Sequence, residues 1–266
     1  MTFAIKLRLI CGLLVLTAPL DVVAQAAREP ASRGLRRDAL LTGQDIAELR
    51  ALKALQGVDW KLTVGTAATK AENGDTRWAV PFQLRARFNE GRSALKISGD
   101  GYSRIQSKDG TASGFNDLNL IGTQLLSDDF LVEAGVTLPA GGDIGSDEGR
   151  ERIGLVYNRV LSRRWDGEFH IRLTRYDADP KPGVARIRRQ GLVQAAYHLD
   201  EPHTHVLFQL LRSYRPGSSS ASQAALAYEF PLQQRRRPAV GSLSFTRGLT
   251  SGARDNTVEF DVSLRF

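Results

Sequence analysis

From Trp60 to Phe266 the chain is written on a period of two. Apolar side chains take every second position, and polar or charged ones take the places between. That is the signature of extended strands with one oily face and one wet face. Trp78, Val80, Phe82, Leu84, Ala86 and Phe88 alternate with Arg77, Gln83, Arg85 and Arg87. Phe169, Ile171 and Leu173 alternate with Glu168, His170, Arg172 and Thr174. The last segment is the cleanest: Val258, Phe260, Val262, Leu264 and Phe266 against Thr257, Glu259, Asp261, Ser263 and Arg265. About twelve such segments are legible, an even number, and the longest exceed the usual soluble strand of roughly 5–6 residues. The pattern predicts an all-β protein: a transmembrane antiparallel up-and-down β-barrel over residues 58–266, with apolar residues toward lipid and polar ones toward the lumen.

The connections support this reading. Asn89-Glu90-Gly91, Ser127-Asp128-Asp129, Ser162-Arg163-Arg164 and Asp200-Glu201-Pro202 are tight turns. The alternate connections, 140–149, 177–184, 216–220 and 248–256, are longer and rich in Gly, Pro, Asp and Ser. Short periplasmic turns and longer outer loops are what such a barrel shows. One periplasmic turn, Pro231 to Pro238, is long and holds Arg235-Arg236-Arg237. Pro81 interrupts the second segment, where it removes a ladder hydrogen bond and calls for a bulge or rim position. Val156 and Val160 fall in the polar phase, and Arg159 and Arg189 in the apolar phase, so a one-residue slip there would exchange the faces.

The N-terminal part has a different character. Lys6 and Arg8 precede an apolar stretch from Leu9 to Leu20, and Ala24-Gln25-Ala26 is an A-x-A cleavage pattern. Residues 1–26 therefore read as a secretory signal peptide. Residues 27–57 read as a periplasmic leader with a short N-terminal amphipathic helix, on which Ile46, Leu49, Leu52 and Leu55 share a face. That helix could rest on the rim or plug the lumen. Beyond residue 26 no apolar run is long enough for a membrane helix, so a closed barrel is the remaining way to span lipid.

Export changes the composition argument. Cleavage removes the only cysteine, Cys11, which rules out a disulfide or a cysteine metal site. Loss of Lys6, Arg8 and Asp21 lowers the net charge from +7 to about +6. A basic balance raises nucleic acid as a partner, but an exported chain does not meet it. Outer-membrane lipid, lipopolysaccharide phosphates and anionic solutes are the expected acidic partners.

Two motifs carry a family resemblance. The ten residues from Thr257 to Phe266 resemble the C-terminal recognition strand of bacterial outer-membrane β-barrels, which ends in an aromatic residue after alternating apolar ones. The resemblance implies that Val258, Phe260, Val262, Leu264 and Phe266 are an assembly signal read by the barrel assembly machinery. Gly114-Phe115-Asn116-Asp117-Leu118-Asn119-Leu120, followed by Val136-Thr137-Leu138-Pro139-Ala140-Gly141, resembles the outer-membrane family linked to the meta-pathway of phenol degradation. Asn116 stands where that family has glycine. This second resemblance implies transport of small, often aromatic or hydrophobic, compounds.

The polar phase marks a candidate lumen lining: Arg85, Arg87, Lys96, Glu133, Arg152, Glu168, His170, Arg172, Arg186, Arg188, Glu229, Glu259 and Asp261. These charges can form a basic-biased pore that steers anionic solutes, or a mutually paired ladder that fills the interior. Trp60, Trp78, Trp165, Tyr157, Tyr197, Tyr228, Phe88 and Phe266 lie near strand ends, where interfacial girdles sit. No G-x-S-x-G motif accompanies the histidines, which argues against catalysis. His203 and His205 share a strand face just after a turn, where a solvated rim accounts for them without a metal. The expectation is an outer-membrane channel or transporter-like barrel with no cofactor. The alternative is a non-conducting structural or partner barrel of an envelope or export assembly.

Overall fold

The computed structural model describes residues 58–266, apart from 72, 90, 142–143, 145, 147–148, 178–184, 200–203, 219, 234–238 and 251–255. Fifteen strands form one sheet: β1 (Asp59–Lys70), β2 (Thr76–Ala79), β3 (Phe82–Phe88), β4 (Ser93–Gly99), β5 (Tyr102–Ser107), β6 (Gly110–Phe115), β7 (Leu118–Leu125), β8 (Phe130–Leu138), β9 (Arg150–Val160), β10 (Trp165–Tyr176), β11 (Ile187–His198), β12 (His205–Tyr214), β13 (Ala221–Gln233), β14 (Ala239–Gly248) and β15 (Asn256–Arg265). Every pairing is antiparallel.

Twelve of these strands close on themselves. The ring runs β1-β3-β4-β7 and on through β8 to β15, and β15 pairs back onto β1 from Lys61↔Arg265 to Lys70↔Asn256. Trp60 and Phe266 finish the seam, each donating its N–H to the other's carbonyl, at 3.1 and 3.0 Å. Closure leaves no free edge in the ring, as lipid requires. The short turns and the Trp60–Phe266 end of the seam define one end; the longer loops define the other.

The remaining strands continue the ring above its loop end. β2, β5 and β6 prolong β3, β4 and β7 beyond bends at Val80-Pro81, Asp100-Gly101 and Asn116-Asp117, and form a tongue beside the upper half of β1. Pro81 sits at the first bend. It has no N–H to contribute, but its carbonyl accepts from Gly65 at 2.9 Å, and Val80 donates to Tyr102 at 2.9 Å. The proline therefore costs the ladder nothing at a bend.

Burial is inverted relative to a soluble protein. Ile171, Val193, Leu210 and Leu243 point outward and are 47, 51, 50 and 51% exposed, whereas Glu133 and Arg87 point inward at 0 and 1%. Such a surface is stable against hydrocarbon, not water. The alternation keeps its phase through the irregular strands: Val156 is buried inside, and Arg159 and Arg189 are exposed outside. Near the seam end the outward aromatics cluster, with Trp165 4.9 Å from Tyr197 and Phe130 5.0 Å from Tyr157 between ring centroids. The signal peptide, the leader helix, the Arg235-Arg236-Arg237 turn and His203 lie outside the described residues.

Candidate functional site

Twelve of the thirteen candidate lining residues sit on the inner face of ring strands. Arg186 is the exception: it is exposed, in the loop before β11. Its carbonyl accepts from Tyr176 at 2.9 Å.

The centre of the interior is a waist of buried charge. Glu133 on β8, Gly154 on β9 and Arg172 on β10 lie in one row across three strands. Gly154 has no side chain, so the Glu133 carboxylate crosses it and accepts from Arg172 Nε at 2.7 Å. A Cβ at position 154 would stand 2.6 Å from Glu133 Oε1 and 2.7 Å from its Cγ. His170 Nε2 approaches the same carboxylate oxygen at 3.2 Å. Arg85, Arg87, Lys96, Glu168, Glu229, Glu259 and Asp261 are each 5% exposed or less, and none is without a partner. A charge in so dry a place must be paired to be tolerated. Gln209 donates to Gln194 across the same interior.

Toward the loop end the lining turns basic. Tyr176 is 1% exposed and is ringed by three guanidiniums: Arg150 and Arg188 at 5.3 Å and Arg215 at 4.1 Å from its centroid. The ring face holds them together by cation–π attraction, and Arg215 Nε is tied to the Ala185 carbonyl at 2.7 Å. Toward the seam end, His198 Nε2 is 2.7 Å from Asp166, and its ring meets His205 edge-on at 4.6 Å. Among the described residues no group of three or more His, Cys, Asp or Glu is arranged to hold a metal.

The segment that resembles a transport family is a latch. Asp117 Oδ1 accepts from the backbone of Ala140 (3.2 Å) and Ser146 (2.8 Å), and Oδ2 accepts from the Ser146 hydroxyl (2.6 Å). Asn116 accepts from Arg77 at 2.8 Å and donates to Ser103 at 2.7 Å, which ties β2 and β5 of the tongue to the bend before β7. Asn119 accepts from Thr137 and Arg152, both on the inner face. Sequence reasoning noticed these residues as a motif but gave them no task. It passed over Tyr176, Arg150 and Arg215, which stand far apart in sequence. It also passed over the tongue hairpin.

Solved structures with the same fold place the molecule. An outer-membrane channel from Pseudomonas putida F1 superposes with a TM-score of 0.59 at 13% identity, over 81% of this chain and 98% of that one. The translocator domain of the autotransporter NalP from Neisseria meningitidis gives 0.50 at 10%, over 84% and 96%. The NanC porin gives 0.50 at 9%, over 76% and 98%. No protein-family model and no curated protein matches the chain. At these identities the likeness is one of fold. Together with the inverted surface, it defines the class: this is a transmembrane β-barrel of the bacterial outer-membrane type. Within that class it is a twelve-strand barrel with a charged, internally paired waist, a basic mouth and a tongue at its loop end.

Proposed function

We propose that the protein passes small solutes across the outer membrane through its interior. The observation that carries this is the lining: a continuous polar face runs inside an oily barrel, from the basic mouth at Tyr176 to the paired charges at Glu133 and Arg172. Arg85, Arg87, Lys96, Glu133, Arg152, Glu168, His170, Arg172, Arg188, Glu229, Glu259 and Asp261 line the path, with Arg186 at its entrance. Three guanidiniums around one phenol favour anionic or aromatic solutes, by charge and by stacking. The waist side chains then act as a constriction that a solute parts, exchanging internal pairs for its own. The Pseudomonas channel and the NanC porin support this reading by fold, and no feature of the site calls for catalysis.

In this proposal residues 1–26 are a cleaved signal peptide and 27–57 a periplasmic leader. The outward face of β15 (Val258, Phe260, Val262, Leu264, Phe266) is the strand read by the assembly machinery. Lipid and lipopolysaccharide surround the ring. The test is single-channel conductance of refolded residues 27–266 in a planar bilayer. Anion-preferring steps that weaken in Arg85→Gln/Arg172→Gln support solute passage.

A second reading is favoured by the dryness of the waist: a non-conducting partner barrel of an envelope or export assembly. A folded barrel that stays silent in the bilayer, with cellular function lost on removing residues 27–57, would establish it in place of the channel.

A further inference from the structure

The outside of the barrel carries its own charge pattern. At the loop end, two rows of outward side chains cross the seam in register. The upper row is Gln106, Thr76, Lys70, Asn256 and Arg247. The row beneath it is Arg104, Trp78, Ala68, Val258 and Phe245. A polar row above a mostly apolar row marks the level where headgroups give way to acyl chains. The curl of the tongue against β1 and β15 makes a groove of about 590 Å³ there, lined by Lys70, Arg104, Trp78, Ala68, Asn256 and Val258 among others. That is within the range of small-ligand sites.

Basic residues continue from the groove around the barrel. Arg247 pairs with Ala224, Arg212 with Ser222 and Gly191, and Arg189 with Tyr214 and Leu173. All three arginines are exposed and outward. Each is a diagonal step from the next outward row, so they form a staircase along the rim. Arg175 extends it, beside Glu151 at 3.7 Å. Ten residue-to-residue steps along β10 lead from Trp165 of the opposite girdle to Arg175. At about 3.3 Å per residue and a tilt near 40°, that is roughly 25 Å, the height of the apolar band. The staircase therefore lies at headgroup depth. The opposite girdle has only Arg159 among described outward strand bases, 3.4 Å from the Tyr157 hydroxyl.

We propose that this groove and staircase form a binding site for a phosphorylated glycolipid of the outer leaflet, of the lipid A type. Its phosphates sit between Arg247, Lys70 and Arg104, and an acyl chain lies on Ala68, Val258 and Trp78. Arginine at headgroup depth is nearly free of the burial cost it would carry at the bilayer centre, and its fork matches phosphate. The chemistry explains why the outward bases on the strands crowd one rim: only one leaflet of this membrane offers that lipid. The inference rests on the outer-membrane placement but not on solute passage.

The test uses residues 27–266 in phosphatidylcholine nanodiscs carrying a small fraction of bis-phosphorylated lipid A, and reads lipid A retained per barrel by native mass spectrometry. Lys70→Gln/Arg104→Gln/Arg247→Gln is expected to lower retention at least about tenfold, and Arg159→Gln to leave it unchanged. Dephosphorylated lipid A should be retained as poorly as by the triple variant. Heat-modifiable gel mobility checks that each variant is folded. If the triple variant does not fold, salt decides: retention by the unaltered barrel must fall steeply between 0.05 and 0.5 M NaCl, on the order of the Debye screening of exposed charges. Equal retention in the triple variant, no salt dependence, or phosphatidylglycerol retained as well as lipid A at matched charge overturns the assignment. Conductance is read separately, so a silent channel that retains lipid A leaves this site standing.

Discussion

Glu133→Gln is the substitution that weighs the waist. It keeps shape and volume but removes the charge facing Arg172 Nε at 2.7 Å and His170 Nε2 at 3.2 Å. Glu133 is 0% exposed, so water cannot replace what is lost. Breaking a buried ion pair from one side costs roughly 3–5 kcal/mol. Glutamine retains one acceptor and Arg172 holds a further contact, which sets the expectation at the low end, about 3 kcal/mol, or roughly 150-fold in the folding equilibrium. The assay is urea unfolding of the barrel in lipid vesicles, followed by the fluorescence of Trp60, Trp78 and Trp165. The double variant Glu133→Leu/Arg172→Met should return to within about 1 kcal/mol of the unaltered barrel, because an apolar pair of similar volume needs no partner charge. A loss below about 1 kcal/mol in the single variant would match a solvent-exposed pair. It would show that the waist is wet and refute the reasoning that it is closed by side chains.

Three further outcomes are expected. Val193→Arg places a charge on the lipid face of β11, at a side chain 51% exposed; unfolding in vesicles should lose about 2–4 kcal/mol, and a loss under about 0.5 kcal/mol would show that this face does not meet lipid. Asp117→Ala removes three hydrogen bonds to Ala140 and Ser146; amide exchange at those two residues should rise at least about tenfold with the ring unchanged, and unchanged exchange would show that the latch holds nothing. Phe266→Ala alters a side chain 57% exposed; refolding stability should change by under about 1 kcal/mol while the amount assembled in cells falls. A parallel fall in both would make Phe266 a structural residue and not a signal.

Much of this was legible in the residues. In a strand the side chain of residue i points opposite to that of i+1 whatever the partner. A run such as Phe169-His170-Ile171-Arg172-Leu173 thus carries its own account of which face meets lipid. Turn residues spaced between such runs gave the strand number and the two unequal ends. At Arg159 and Arg189, which break the apolar phase, the sequence left the faces open to a one-residue slip, and only the paired strands put both on the outer face.

What the residues could not say depends on which strand lies beside which, and at what stagger. Alternation is local, but register is a property of a pair. Closure through β1 and β15 joins residues about two hundred positions apart, as in Arg265 with Asp59 at 2.6 Å. The strand stagger alone sets Glu133, Gly154 and Arg172 in one row and leaves a glycine for the carboxylate to cross. The same stagger gathers Arg150, Arg188 and Arg215 on Tyr176, and lays Arg189, Arg212 and Arg247 along one rim. The tongue escaped notice because β5 and β6 are short, and Gly, Ser and Thr blur their alternation. They are strands because β5 pairs with β2 and β6 pairs with β5. One chain thus states its two faces residue by residue, while the sites on those faces exist only once the sheet has closed.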